Sequence, residues 1–342
     1  MEINFLGFGI SILLCYIIYF IIIKSNIFLN QLKDKHQNFV DRKFILPIGG
    51  YFILTTVFVM NFKFISLELL FFIPIFIIGA LSDIKKFNSP QFRFIVQTII
   101  IICFVYFINL KLTSTRIDIL DVMLENTIFR FSFITFCILI VLNGTNFIDG
   151  LNGLVLSYYS LITIFLIYAD FELSFLNNPN FLQELLVLLI VILIFNILNK
   201  LYIGDSGSYL LGFMYSVLLL NIYHENNYIS PYFIILLLWY PCFENLFSII
   251  RKYRFKKSPI NPDTKHLHQL IFYFINKKSN SSNFLINNLL SRFVIIFYNI
   301  LIFYIGFIYI TKTNIQILLL TFNVFIYFLI YIKLFNFRFR KI

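Results

Sequence analysis

Asn143-Gly-Thr-Asn146-Phe-Ile-Asp149-Gly-Leu-Asn152-Gly153 stands between two apolar runs, residues 129–142 and 154–169. Three amides and a carboxylate gathered at the junction of two apolar segments decide how the chain is read. The flanking runs have the character of membrane helices, and the knot between them is the first candidate site. Asparagine can hold a cation or a substrate, aspartate can bind Mg²⁺, and glycine lets backbone approach a phosphate. The plain alternative is a connecting turn, for which Asn, Asp and Gly are ordinary residues.

The rest of the chain carries the same signature. Of 342 residues, 60% are hydrophobic, 20% aromatic and only 13% charged, which excludes an ordinary soluble globular protein. A membrane helix needs roughly 20 apolar residues, and that length recurs. We expect an all-α polytopic membrane protein, a single domain over 1–342, with about eleven spans (ten to twelve). They are placed at 5–25, 46–61, 66–82, 94–110, 129–142, 154–169, 184–199, 207–223, 230–250, 291–311 and 315–334. Cys15, Cys103, Cys137 and Cys242 all lie inside apolar runs, without metal or redox spacing.

Orientation follows from the alternation of basic loops. Lys33, Lys35, Arg42, Lys43, Lys85, Lys86, Arg93, Lys200, the 251–278 cluster and Arg338 to Lys341 fall on one side. The other side carries Asp118, Asp121, Asp170, Glu172 and Glu225 with few bases. The basic side is expected to be cytoplasmic, with the N-terminus outside and the C-terminus inside. The net charge of +11 is then a topological feature, and no nucleic-acid partner is expected. Five loops open on that side, at about 30–45, 83–93, 143–153, 200–206 and 251–290, and nearly every suggestive polar residue lies in one of them. A transporter would carry such residues at mid-membrane depth; their gathering at one face favours an enzyme.

Taken singly, the other motifs are weak. Gly204-Asp205-Ser-Gly-Ser208 precedes an apolar run, so its amides would open a helix and offer a phosphate site, with Asp205 able to hold Mg²⁺. An N-cap followed by small packing residues is the plain alternative. Pro262-Asp-Thr-Lys265-His266-Leu-His268-Gln269 lies in the longest basic loop; its histidines can serve a diphosphate, but zinc lacks a third nearby ligand. Gly79-Ala-Leu-Ser82-Asp83 and Leu46-Pro-Ile-Gly49-Gly50 complete the set.

Jointly, in order and spacing, these segments resemble the polyprenyl-phosphate N-acetylhexosamine-1-phosphate transferases, the WecA- and MraY-like family, from about Asp34 to Leu270. Leu46 to Gly50 is similar to the family's Pro-x-Gly-Gly, Gly79 to Asp83 to its Gly-x-x-Asp-Asp, and Asn143 to Leu154 to Asn-x-x-Asn-x-x-Asp-Gly-x-Asp-Gly-Leu. Gly204 to Ser208 resembles Gly-Asp-x-Gly-Ser, and Pro262 to Gln269 resembles Pro-Asp-x-x-His-x-His-His, the form of the WecA-like aminosugar branch. The chain departs at Ser82, where the family has the first of two aspartates, and at Asn152, Gln269 and Glu244, which replace Asp, His and Asp.

The resemblance implies transfer of a HexNAc-1-phosphate from a UDP-aminosugar to undecaprenyl phosphate, with release of UMP, as the start of O-antigen or a related lipid-linked glycan. It implies Mg²⁺, with Mn²⁺ as a substitute, held by Asp205 and Asn146. Asp83, Asp149, His266 and His268 are the catalytic set it suggests. Lys35, Asn143, Asn152, Tyr202 and Lys265 are the substrate-binding set, with Tyr202 stacking on uracil and Asn152 on its edge. The expected setting is a bacterial inner membrane, multi-pass, with the site on the cytoplasmic face; a homodimer is one assembly open to it. Two rival readings stay open: a transporter or flippase of a lipid-linked or anionic substrate, and a catalytically impaired relative, for which Ser82 is the argument.

Overall fold

The structure, a computed structural model, describes residues 47–87, 89–173, 178–254, 264–279 and 283–339, together with helical Gly9, Leu13, Ile17 and Phe20. The remainder of the 5–25 span, the 30–45 loop with Lys35, and residues 255–263 of the long basic loop lie outside the described residues. Among the described residues there is no strand. The helices are α1 (Gly49–Met60), α2 (Leu67–Leu70), α3 (Phe72–Asp83), α4 (Pro90–Ile108), α5 (Asp118–Glu125), α6 (Thr127–Ile148) and α7 (Leu154–Ala169). They continue as α8 (Phe181–Ile197), α9 (Gly204–Glu225), α10 (Pro231–Leu237), α11 (Trp239–Arg254), α12 (Leu267–Lys278), α13 (Phe284–Ile308) and α14 (Thr313–Phe339).

Every expected span from residue 46 onward coincides with helix. Among the described residues α4, α6, α9, α13 and α14 are long and apolar enough to cross a membrane, and α10 with α11, bent by 75°, make a sixth if the pair is one span, fewer than the eleven expected. The helices α1, α7 and α8 are apolar but shorter. Two of the expected spans are broken, and proline explains both. Pro74 has no N–H for the carbonyl of Leu70, where α2 ends. Pro241 likewise cannot bond the Leu237 carbonyl, which instead accepts the Tyr158 hydroxyl at 2.8 Å. The bend between α10 and α11 is thus made by a missing donor and held by a substitute.

At the centre stands α9. Of its most apolar stretch 89% is buried, against 22% for α4 and 28% for α14. It packs on α1, α3 and α6. The approach is close because glycine lies at the contacts: a Cβ on Gly49 would stand 2.6 Å from the Ile203 Cα, and one on Gly79 2.3 Å from the Ser206 Cα. In lipid, where burial of apolar surface gives helices little reason to associate, such small-residue contacts carry the packing. The Leu46-to-Gly50 and Gly79 motifs are therefore explained by packing against the start of α9, to which Gly49 N–H also donates through the Tyr202 carbonyl at 2.9 Å.

The helix ends sort into two groups. The starts of α1, α4, α7, α9 and α12 meet the ends of α3, α6 and α11 at one end of the bundle, which holds the motifs. The opposite end joins the segments around Arg116, Asn226 and Thr313.

Candidate active site

Several expected loop residues are helical. Asn143 and Asn146 belong to the last turns of α6, Arg93 to the first turn of α4, and Asp205 and Ser206 to the first turn of α9. The 251–290 loop contains α12 and the start of α13. Local chemistry explains the starts: Pro90 follows Ser89, whose hydroxyl accepts from Phe92 N–H at 3.4 Å, and Asn283 caps α13 through Leu285 N–H at 3.0 Å.

Asp83, at the end of α3, caps α9. Its carboxylate accepts the Asp205 N–H at 2.7 Å and the Ser206 N–H at 3.1 Å. Gly204 makes room for it, at φ +72°, with a would-be Cβ only 2.7 Å from the Asp83 carboxylate. The first amides of α9, expected to be a phosphate site, already hold a carboxyl group of the protein's own.

The Asp205 carboxylate faces outward from this cap and is about one-third exposed. Its Oδ1 accepts from Asn146 Nδ2 at 2.8 Å; its Oδ2 accepts from the Ser82 hydroxyl at 2.5 Å and from Arg93 at 2.6 Å. Arg93 also donates to the Ser82 oxygen. Asn146 extends its amide to Ser208 Oγ at 2.9 Å. Ser82, the apparent loss in the sequence, thus supplies a hydrogen bond to Asp205. Burial first, then the charges of Asp205 and Asp83, hold the Asp149 carboxyl well above the usual carboxylate range. Three carboxylates converge here, and Arg93 is the cation in contact with one of them.

The second half of the site is the histidine pair. His266 precedes α12, its Nδ1 2.9 Å from Glu244 Oε1 on α11. Its ring stacks on His268, centroids 5.7 Å apart, and lies 5.4 Å from the Phe147 ring. His268 is fully buried with neither ring nitrogen hydrogen-bonded, and its Nε2 would stand 2.3 Å from a Cβ on Gly150. Burial first, then the charge of His266, pushes His268 down to about 3, with Glu244 opposing. It is a neutral imidazole at physiological pH. Gln269, in place of the family's histidine, accepts the His266 backbone N–H at 3.2 Å.

The short run from Asn146 to Gly150 therefore touches both halves: Asn146 binds Asp205, Phe147 meets His266 and Gly150 abuts His268. Asp83, Asn146, Asp149, Asp205, His266 and His268 are brought to this region. Other expected residues are not. The Asn143 amide donates to the Leu139 carbonyl at 3.0 Å and to Gln97 at 3.4 Å, toward α4. Asn152, on the far side of the turn, donates to Asn199, and its carbonyl accepts from Arg292 at 3.3 Å. Lys265 sits over the Phe335 and Phe339 rings of α14. Tyr202 is half-buried in the segment before α9. Sequence reading missed Arg93 as a site residue; its one visible signal was a lone base in the first turn of an apolar helix.

Comparison with known proteins agrees with this layout. Residues 65–223 match the sequence profile described as glycosyl transferase family 4. An undecaprenyl-phosphate alpha-N-acetylglucosaminyl 1-phosphate transferase of Thermotoga maritima is 27% identical over 252 residues, covering 71% of this chain and 76% of that protein. A probable undecaprenyl-phosphate N-acetylglucosaminyl 1-phosphate transferase of Bacillus subtilis is 32% identical over 208 residues, 58% of this chain and 56% of its own length. Over residues 65–223 the chain is similar to glycosyl transferase family 4. A further relative, from Escherichia coli O157:H7, named an undecaprenyl-phosphate alpha-N-acetylglucosaminyl 1-phosphate transferase, is 29% identical over 202 residues, 57% of this chain and 54% of that protein. The matches thus span about half of two relatives and three quarters of the third. The family profile covers Asp83, Asn146, Asp149 and Asp205 but ends before the histidine pair.

Proposed function

We propose that the chain transfers a HexNAc-1-phosphate from a UDP-aminosugar to undecaprenyl phosphate at the cytoplasmic face of a bacterial inner membrane, releasing UMP. The observation that carries this is the Asn146–Gly150 run, which ties a carboxylate cluster to a histidine pair. One bound diphosphate can meet both. The names of the relatives supply the lipid phosphate and the aminosugar phosphate. The one-sided Lys/Arg loops support the cytoplasmic placement and a C-terminus on that side. The lipid product would begin a cell-envelope glycan such as O-antigen.

An acceptor phosphate oxygen would attack the β-phosphorus of the donor while the bond to the bridging oxygen breaks, UMP leaving with that electron pair. A phosphate monoester has a second pKa of about 6 and is mostly dianionic at neutral pH, so a strong general base is not needed. Ser82 in place of an acid is compatible with that. What the site must supply is orientation and neutralisation of charge. In this reading Arg93 and His266 would meet the phosphate oxygens, with His268 behind them.

The residues also fit a hard divalent cation. Among the described residues no cluster of three His, Cys, Asp or Glu forms a self-sufficient metal site. Mg²⁺, however, is commonly held by one or two carboxylates together with substrate phosphates. The Asp205 carboxylate and the Asn146 amide oxygen would hold it, with Asp149 nearby to orient it. When bound, the ion would offset negative charge on the donor diphosphate.

The decisive test is UMP release by purified protein in detergent with undecaprenyl phosphate, Mg²⁺ and a panel of UDP-aminosugars. We expect release that requires both the lipid and the divalent ion. Folded protein that releases no UMP with any donor would overturn the assignment and return the transport reading.

A further inference from the structure

Glu244 is fully buried on α11. A buried carboxylate persists only when its oxygens are answered by donors. Three answer this one: His266 Nδ1 at 2.9 Å on Oε1, and on Oε2 the Leu267 N–H at 3.3 Å and the Tyr327 hydroxyl at 2.9 Å. Tyr327 comes from α14, the last helix, 83 residues away in sequence and beyond the matched family profile. The same helix fastens the approach to the histidine. Arg251 donates to the Tyr331 hydroxyl at 2.7 Å and to the Lys265 carbonyl, and Arg338 donates to the Thr264 carbonyl at 2.7 Å. Because an ionised carboxylate only accepts, the Nδ1 of His266 must carry the proton between them.

We propose that Glu244 and Tyr327 are positioning residues: they hold His266 from behind and fix the orientation its ring presents to the substrate, which makes α14 a working wall of the site. The pattern is that of a histidine oriented from behind by a carboxylate. Among the described residues, the titratable and charged groups about the ring are Glu244 and Lys252 of α11, Tyr327 of α14 and His268 of α12. This inference rests on the transferase reading for its substrate, but the state of His266 can be measured without one.

The experiment has two arms. In the first, ¹⁵N imidazole spectra of the full chain in detergent, assigned with a His266→Gln control, are compared with those of Glu244→Gln. We expect a protonated Nδ1 in the parent and a changed signal in the variant. In the second, UMP release is followed against pH. Glu244→Gln is expected to lower kcat about 100-fold and to move the alkaline limb of kcat/KM to lower pH. Glu244→Asp should restore much of both, and Tyr327→Phe should cost about tenfold with little change in the donor KM. Tyr327→Phe should add nothing in the Glu244→Gln background. An unmoved ¹⁵N signal and an unmoved pH limb, in variants with the parent melting temperature, would overturn the positioning role. A moved signal in a parent that releases no UMP would uphold the positioning and reject the reaction.

Discussion

The two ends of the helical bundle are both polar, and they treat polarity differently. At the end around Arg116, groups answer one another. Arg116 donates to Thr313 at 2.7 Å and to the Ile229 carbonyl at 2.9 Å, and Asp121 accepts from Ser114 and from Thr115 at 2.6 Å. The Asn226 amide donates to the Glu172 carbonyl at 2.9 Å and accepts the Glu172 N–H at 3.2 Å. The polar groups there fasten connections. At the other end, His268 keeps two unbonded ring nitrogens and Asn288 an unbonded amide, all buried. Buried polar groups normally find partners, and the Arg116 end has exceptions of its own in Gln316 Oε1 and Arg130 Nε. What sets the site end apart is a whole unbonded imidazole, that of His268, beside the Glu244–His266 pair.

That contrast can be broken by experiment. The largest effect is expected from Asp205→Ala, which removes the carboxylate shared by Asn146, Ser82 and Arg93. UMP release should fall by roughly two to three orders of magnitude while the melting temperature in detergent stays near the parent's. Retained activity would show that the cluster is no more functional than the Arg116 end.

Asp149→Asn should act on stability, in a direction fixed by pH. Burial and the neighbouring carboxylates raise the folded-state pKa of Asp149 above its unfolded value. Its contribution to stability is therefore complete below an ordinary aspartate pKa of about 3.9 and is lost as pH rises through the folded value. The amide has no such loss. Thermal melts should show the variant a few degrees more stable at pH 8 and indistinguishable near pH 4. A variant less stable at pH 8 would mean that the carboxylate is charged and paired. The smallest effect on catalysis is expected from Arg116→Ala, at about 1 kcal/mol of stability with turnover per folded molecule unchanged. A fall in turnover there would dissolve the distinction between the ends.

Much of this was legible in the sequence, for identifiable reasons. Apolar runs report helices directly, and each described run is helical, two of them in two pieces. The breaks at Phe71 and Leu238 were not read, because a proline acts on a carbonyl four residues upstream and the substitute donor, Tyr158, is 79 residues away. The helices α5 and α12 were missed because a search for apolar runs passes over short segments with charged faces. In the site, acids, amides and histidines announce themselves by type and spacing. Their partners do not: Arg93 reaches Asp205 across 112 positions and Tyr327 reaches Glu244 across 83, with no local pattern to betray either. The roles of Asp83 and Gln269 were hidden for the opposite reason. Both looked chemical, and both hold a helix start.

The near-complete enclosure of α9 also bears on how the protein is made. A segment that scarcely touches lipid, and that opens with Gly-Asp-Ser-Gly-Ser, cannot rely on its own partitioning to enter a bilayer. Its closest neighbours, α1, α3 and α6, are all synthesised before it. The ribosome thus delivers the walls first and the occupant afterwards, and residue 205 reaches its place only if everything ahead of it is already seated.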